Sequence, residues 1–223
     1  MKMSSFGISS VAAMAGAVLV LAASASAEEM VRYLGRPGSK VQIAGTSTIH
    51  DWTMDGQIIG GYMEFPKDVV LDSSQASSAG LKAGKVNAHV EASIPVHSVK
   101  SGKSGMDEVM QQAMDEKTYP KIQYHLTEMT FKEPHAAGSP LQFDTKGQLV
   151  VHGVTNTIAL PVTIENVDKT KLKVVGTIPL KMTDYQVKPP APSIGLGLIK
   201  TGDEVKISFE WMVAQPEKAV EAK

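Results

Sequence analysis

The sequence predicts an all-β fold of about eight half-buried antiparallel strands with one short amphipathic helix, and three observations carry that reading. Apolar and polar residues alternate with a period of two from residue 39 onward. Turn-forming residues separate the alternating runs. Cysteine is absent, so no disulfide framework can stand in for a packed core.

The strands follow in order. Two open the pattern, Val41 to Ile49 and Trp52 to Tyr62. Val86, Ala88, Val90, Ala92 and Ile94 then share one face, with Lys85, Asn87, His89, Glu91 and Ser93 opposite. Ile122, Tyr124 and Leu126 begin another run, after which Met129 and Phe131 carry the apolar face; that slip of phase predicts a bulge near Glu128. Further strands read from Gly147, Leu149 and Val151, from Ile158, Leu160, Val162 and Ile164, and from Leu172 through Met182. The last has Val205, Ile207, Phe209, Trp211 and Val213 inside and Glu204, Lys206, Ser208 and Glu210 outside. About eight such strands can close into a barrel with no exposed edge and room for one small ligand. A β-sandwich has the same signature, and periodicity leaves both open.

The helix is Ser104 to Glu116, where Met106, Val109, Met110, Ala113 and Met114 recur at helical spacing and Ser104 with Asp107 reads as a capping box. Its methionine face suits irregular space, either as a plug for one barrel end or as a contact for a ligand. Two connections lack any period: Leu71 to Gly84, and the apolar, proline-rich stretch Lys188 to Gly202. The second is either a flap over the barrel mouth or an exposed surface loop.

The 223 residues carry a formal charge of −1. Lys2, the uncharged run Val11 to Ala23 and Ala25-Ser26-Ala27 read as a signal peptide over residues 1–27, leaving one domain at 28–223 in the periplasm. The apolar run, about 13 residues, falls short of the roughly 20 that span a bilayer, so no stable membrane insertion is expected. Mixed charge without a basic stripe excludes a nucleic-acid partner.

Six histidines form neither H-E-x-x-H nor H-x-H, and no G-x-S-x-G elbow or glycine-rich phosphate loop is present. No metal, cofactor or catalytic residue is expected. The stretch Thr46-Ser47-Thr48-Ile49-His50-Asp51-Trp52 gathers hydroxyls, an imidazole and a carboxylate, but neighbours along a strand point to opposite faces. A structural or ligand-orienting role suits it better, with His50 as the candidate contact for a polar headgroup. The inward faces are uncharged and include Gly45, Gly56, Ala88, Ala92, Gly147 and Gly176; small interior residues favour a hollow over a filled core. Trp52, Met54, Val90, Ala92, Ile94 and Ile122 are candidate lining residues, as are Tyr124, Leu149, Val151 and Leu160. Met106, Met110 and Met114 would line the mouth.

The run Gly45 to Trp52, the passage from Ser93-Ile94-Pro95-Val96 through Met106-Asp107 to Tyr119-Pro120-Lys121-Ile122, and the hairpin Gly147-Gln148-Leu149-Val150-Val151-His152-Gly153-Val154-Thr155-Asn156 stand in a telling order. They resemble the first-strand histidine region, the strand-helix-strand passage and the G-x-L-x-x-x-G-V-T hairpin of the YceI family of exported lipid-binding proteins. The resemblance covers the whole mature chain. It implies an extended lipocalin-like antiparallel barrel holding a polyisoprenoid or quinone-like lipid, with no catalytic residues. Ile43 and Gly45 stand where the commoner family form is rich in phenylalanine. The leading expectation is a periplasmic carrier or sequestering module, and a homodimer is compatible with it. The alternatives are an enzyme acting on a lumen-bound isoprenoid, and an exported stress or interaction protein with a solid barrel.

Overall fold

The computed structural model describes residues 28–74, 81–132, 136–191 and 199–217. The expected signal peptide, the middle of the Leu71 to Gly84 connection and the centre of the proline-rich loop lie outside them. The strand segments are β1 (Met30–Gly35), β2 (Lys40–Ser47), β3 (Trp52–Gly56), β4 (Gly60–Pro66), β5 (Gly84–Lys85) and β6 (His89–Pro95). Helix α1 (Ser104–Ala113) follows, then β7 (Lys121–Lys132), β8 (Leu141–Val151), β9 (Val154–Ala159), β10 (Val162–Asn166), β11 (Lys171–Lys181) and β12 (Thr201–Ala214).

Every strand pairing is antiparallel, in the order β1-β4-β6-β7-β8-β10-β11-β12, and β12 returns to β1 through Leu34–Ala214 and Gly35–Val213. The sheet therefore closes on itself. β2 prolongs β1 along β12, β3 prolongs β4 along β2, and β9 prolongs β10 along β8, which makes eight staves. The expected all-β, lipocalin-like barrel is the fold, and the sandwich is not.

Each broken stave has a local cause. Between β1 and β2 the chain turns at Pro37-Gly38, and buried Ser39 stitches the break: its Oγ donates to Arg36 O (3.0 Å) and accepts from Met212 N (3.1 Å). Trp52 to Tyr62, expected as one strand, breaks before Gly60-Gly61. Gly61 has φ 120° and a side chain there would strike Glu91 O, so only glycine suits it. β9 and β10 part at Pro161, which has no N–H to give the ladder. Val86 to Ala88 also leave the ladder, between β5 and β6, where an unbroken strand was expected. The bulge near Glu128 is present as a register shift between Leu126 and Glu128. β1 itself had no alternation by which to be read.

One end of the barrel is solid. Phe65, Phe131, Phe143, Leu141, Ile164 and Val213 are fully buried there, and the Phe131 and Phe143 rings pack at 5.3 Å. Leu71 and Leu81 seal this end from outside the sheet. Ser73 backbone N–H donates to Asn166 Oδ1 (2.8 Å), and Asn166 Nδ2 donates to Leu71 O (2.7 Å), fixing the cover to β10.

Helix α1 crosses the other end. The expected capping box does not form: Lys103 is the N-cap, Ser104 is already helical, and the helix stops at Ala113 rather than Glu116. Asp107 reaches back instead to Ser101, whose N–H (2.6 Å) and Oγ–H (2.8 Å) both donate to Oδ1. The Ser101 backbone bond is the main reason the Asp107 carboxyl titrates below the usual aspartate range, its side-chain bond and Lys100 adding to it against the opposing effect of burial. A depressed folded value gives stability that is present above the unfolded aspartate pKa and lost as pH falls through the folded value. Asp107→Asn is thus expected to lower the neutral-pH stability by about 1–3 kcal/mol. Melting curves should show the gap to wild type closing below about pH 3; a gap that persists there would contradict the assignment.

Candidate functional site

Between the solid end and α1 the barrel is hollow. An inner chamber of about 120 Å³ is walled by Val90, Ala92 and Ile94 on β6, Ile122, Tyr124 and Leu126 on β7, Leu149 on β8 and Leu160 beyond β9; Ile59, Met63 and Trp211 also border it. An outer chamber of about 320 Å³ lies under α1, against Met54, Met106, Met110, Met114, Val151 and Met182. Ile43, Ile122, Leu180 and Ile207 wall both, so the chambers are successive parts of one lumen. A single water needs only about 10–15 Å³ by the same measure, and so apolar a space holds water poorly. The rim of the outer chamber carries His50 and Ile49, the latter 63% exposed.

The small inward residues do not leave this space in the way expected. Gly45, Gly147 and Gly176 are each covered by an aromatic ring, Trp52, Tyr124 and Phe209 respectively. A Cβ on Gly176 would sit 2.6 Å from Phe209 Cζ, and Gly56 has Val41 against it in the same way. The absent side chains let bulky ones lie along the wall, and it is rings kept out of the axis that leave it clear. Trp52 is further fixed by its indole N–H, which donates to Thr46 O (3.0 Å).

Polar groups in the wall are few. Ser93 and Gln123 border the inner chamber, but they pair across β6 and β7 on the outward side, between the inward pairs Ala92–Tyr124 and Ile94–Ile122. Thr145, buried on β8, donates from Oγ1 to Leu160 O (2.5 Å) and lies 3.2 Å from Tyr124 Oη. Burial raises the Tyr124 pKa, with the Thr145 bond opposing, so the phenol is neutral.

In the outer chamber, Tyr185 is 3% exposed and its hydroxyl has no hydrogen-bond partner. Burial raises its pKa, nearby Asn156 opposes and Asp184 adds to the rise. Asn156 Nδ2 is committed to Asp184 O at 2.8 Å. An unpaired buried hydroxyl costs about 1–3 kcal/mol. Tyr185→Phe should therefore melt no lower than wild type; a fall of more than about 4 °C, on the order of 1 kcal/mol for this size, would show that the hydroxyl is bonded.

Every residue expected at the lining stands on one chamber or the other. Val90, Ala92, Ile94, Tyr124, Leu149 and Leu160 border the inner one, Ile122 both, and Trp52, Met54, Met106, Met110, Met114, Val151 and His50 the outer one. The sequence reading missed Thr145, which precedes the expected start of its strand, and Tyr185, which sits in a 3-10 turn (Met182–Tyr185) with no periodic pattern. His50 is exposed, and its Nδ1–H donates to the Asp51 backbone carbonyl (2.7 Å). Ser47 Oγ donates to His50 O (2.7 Å) and accepts from His50 N–H (3.2 Å). The hydroxyl and imidazole thus hold a turn together. Among the described residues no group of three or more His, Cys, Asp or Glu could hold a metal, and no helix is long and apolar enough to cross a membrane.

Residues 36–213 match the family described as the YceI-like domain. The fold is similar to that of a polyisoprenoid binding domain from Saccharophagus degradans implicated in plant cell wall breakdown, with a TM-score of 0.62 and 15% identity over 84% of this chain and 100% of that one. It is also similar to BcnA of Burkholderia cenocepacia, with a TM-score of 0.56 and 19% identity over 78% of this chain and 95% of that one. No curated protein matches the sequence.

Proposed function

Because the chain belongs to the YceI-like domain family, we propose that it is an exported binding protein that holds an isoprenoid-type lipid, polyprenyl or quinone-like, in its lumen. It acts as a periplasmic carrier or sequestering module and not as an enzyme. The single observation that carries this reading is the continuous apolar lumen, closed at one end and rimmed at the other by exposed Ile49 and His50. The relative described as a polyisoprenoid binding domain supports it, and the leader-like residues 1–27 support export. The lumen weighs against a solid barrel. The Thr46 to Trp52 grouping lends nothing to catalysis, since its Ser47 hydroxyl and His50 imidazole are bonded to backbone.

The energetics suffice. Burying about ten methylenes yields roughly 8 kcal/mol at 0.8 per methylene, and association costs reduce that to about micromolar binding. The methionines of α1 adapt to a chain of varying branching. Native mass spectrometry of the protein taken from a bacterial envelope should show a bound species with the mass of an isoprenoid lipid. Apo protein alone, together with no uptake of added geranylgeraniol, would remove the proposal.

A further inference from the structure

The lumen has one polar terminus deep in its wall, and its direction is fixed by counting protons. Thr145 has a single hydroxyl proton, which goes to Leu160 O at 2.5 Å. In the 3.2 Å contact with Tyr124, Thr145 Oγ1 is therefore the acceptor and Tyr124 the donor. That leaves the Tyr124 oxygen with an open acceptor site, and no donor among the described residues bonds to it. The ring cannot retreat into the wall, because it already lies over Gly147. Everything around it on the inner face is hydrocarbon: Ala92 opposite, with Ile122, Leu126 and Leu149 beside it.

Resting on the carrier reading, we propose that Tyr124 reads the bound lipid, its oxygen accepting a hydrogen bond from a hydroxyl on the guest. The site then prefers prenyl alcohols and prenyl phenols over ethers and ketones of the same shape, which bring only acceptors to a group with no proton to spare. Mismatched acceptors in a dry pocket are discriminated against strongly, because neither partner finds water instead. The guest lies with its hydroxyl in the smaller inner chamber and its tail in the larger outer chamber, among the methionines of α1. Tyr124 thus acts as a specificity residue and not only as apolar wall.

The probes are geranylgeraniol and its methyl ether, which differ by the donor alone, titrated into wild type, Tyr124→Phe and Thr145→Val. Wild type should bind the alcohol about tenfold more tightly than the ether. Tyr124→Phe keeps the ring over Gly147 and should bind both equally, at the wild-type affinity for the ether. Thr145→Val releases the Tyr124 proton, so the ether should gain affinity and the preference collapse from the other side. Wild type binding both probes equally would overturn the proposal, as would a preference that survives in Tyr124→Phe or an ether affinity unmoved in Thr145→Val. Wild type that takes up neither probe would instead sink the carrier reading itself.

Discussion

Gly176→Ala is expected to weaken isoprenoid uptake at least tenfold while leaving the barrel folded. The added methyl would lie 2.6 Å from Phe209 Cζ, 2.7 Å from Cε1 and 3.2 Å from Val162 Cγ1. Gly176 and Phe209 are register partners on β11 and β12, so the ring cannot pass to the outside. It has one direction left, into the inner chamber that it borders. Overpacking of this kind costs about 1–3 kcal/mol, equivalent to a fall in melting temperature of about 2–12 °C for a protein of this size. Titration of geranylgeraniol, with a melt of the apo variant as control, checks both numbers. Wild-type affinity would mean that the ring finds room elsewhere and that glycine at this position has nothing to do with keeping the lumen clear.

Filling the lumen directly has the second large effect. Ala92 faces the inner chamber across from Tyr124, and Ala92→Phe places a ring where the guest would lie. Since that ring enters existing space, the loss of stability should stay within about 1.5 kcal/mol, at the mild end for added core volume. Binding should fall beyond detection, because the apolar contact that drives it is already made by the protein. The two variants differ in cause. In Gly176→Ala the protein's own aromatic is displaced; in Ala92→Phe a new one is added. A common loss of binding with different changes in stability is the signature expected of a shared lumen.

Much of this was legible in the sequence. Strict alternation along β12 and β11 placed Val205, Ile207, Trp211, Leu172 and Val174 inside, and the slip at Leu126 announced its bulge. Period-two patterning reports burial on one face, and a barrel wall is half-buried along its whole length. What failed were features set by tertiary context. Asp107 is bonded to Ser101 rather than forming a box with Ser104, because the preceding loop folds back over the helix. β1 lacks alternation because its residues are mostly half-buried. The candidate site was legible for a related reason: inward residues near the helix end face the hollow, so naming the inward face named the lining. The glycines misled, since composition registers a missing side chain but not the neighbour that lies over it. Thr145 and Tyr124 needed coordinates, because the direction of a proton chain depends on which oxygen is close to which.

A crystal structure with an isoprenoid hydrocarbon carrying bromine at one chain end tests the lumen most directly. An occupied interior puts anomalous density for bromine between the β-strands, beside Val90, Leu160 and Phe209 or under the methionines of α1. Bromine found only on the outer surface, with Phe209 and Tyr124 closed over an empty axis, would contradict it.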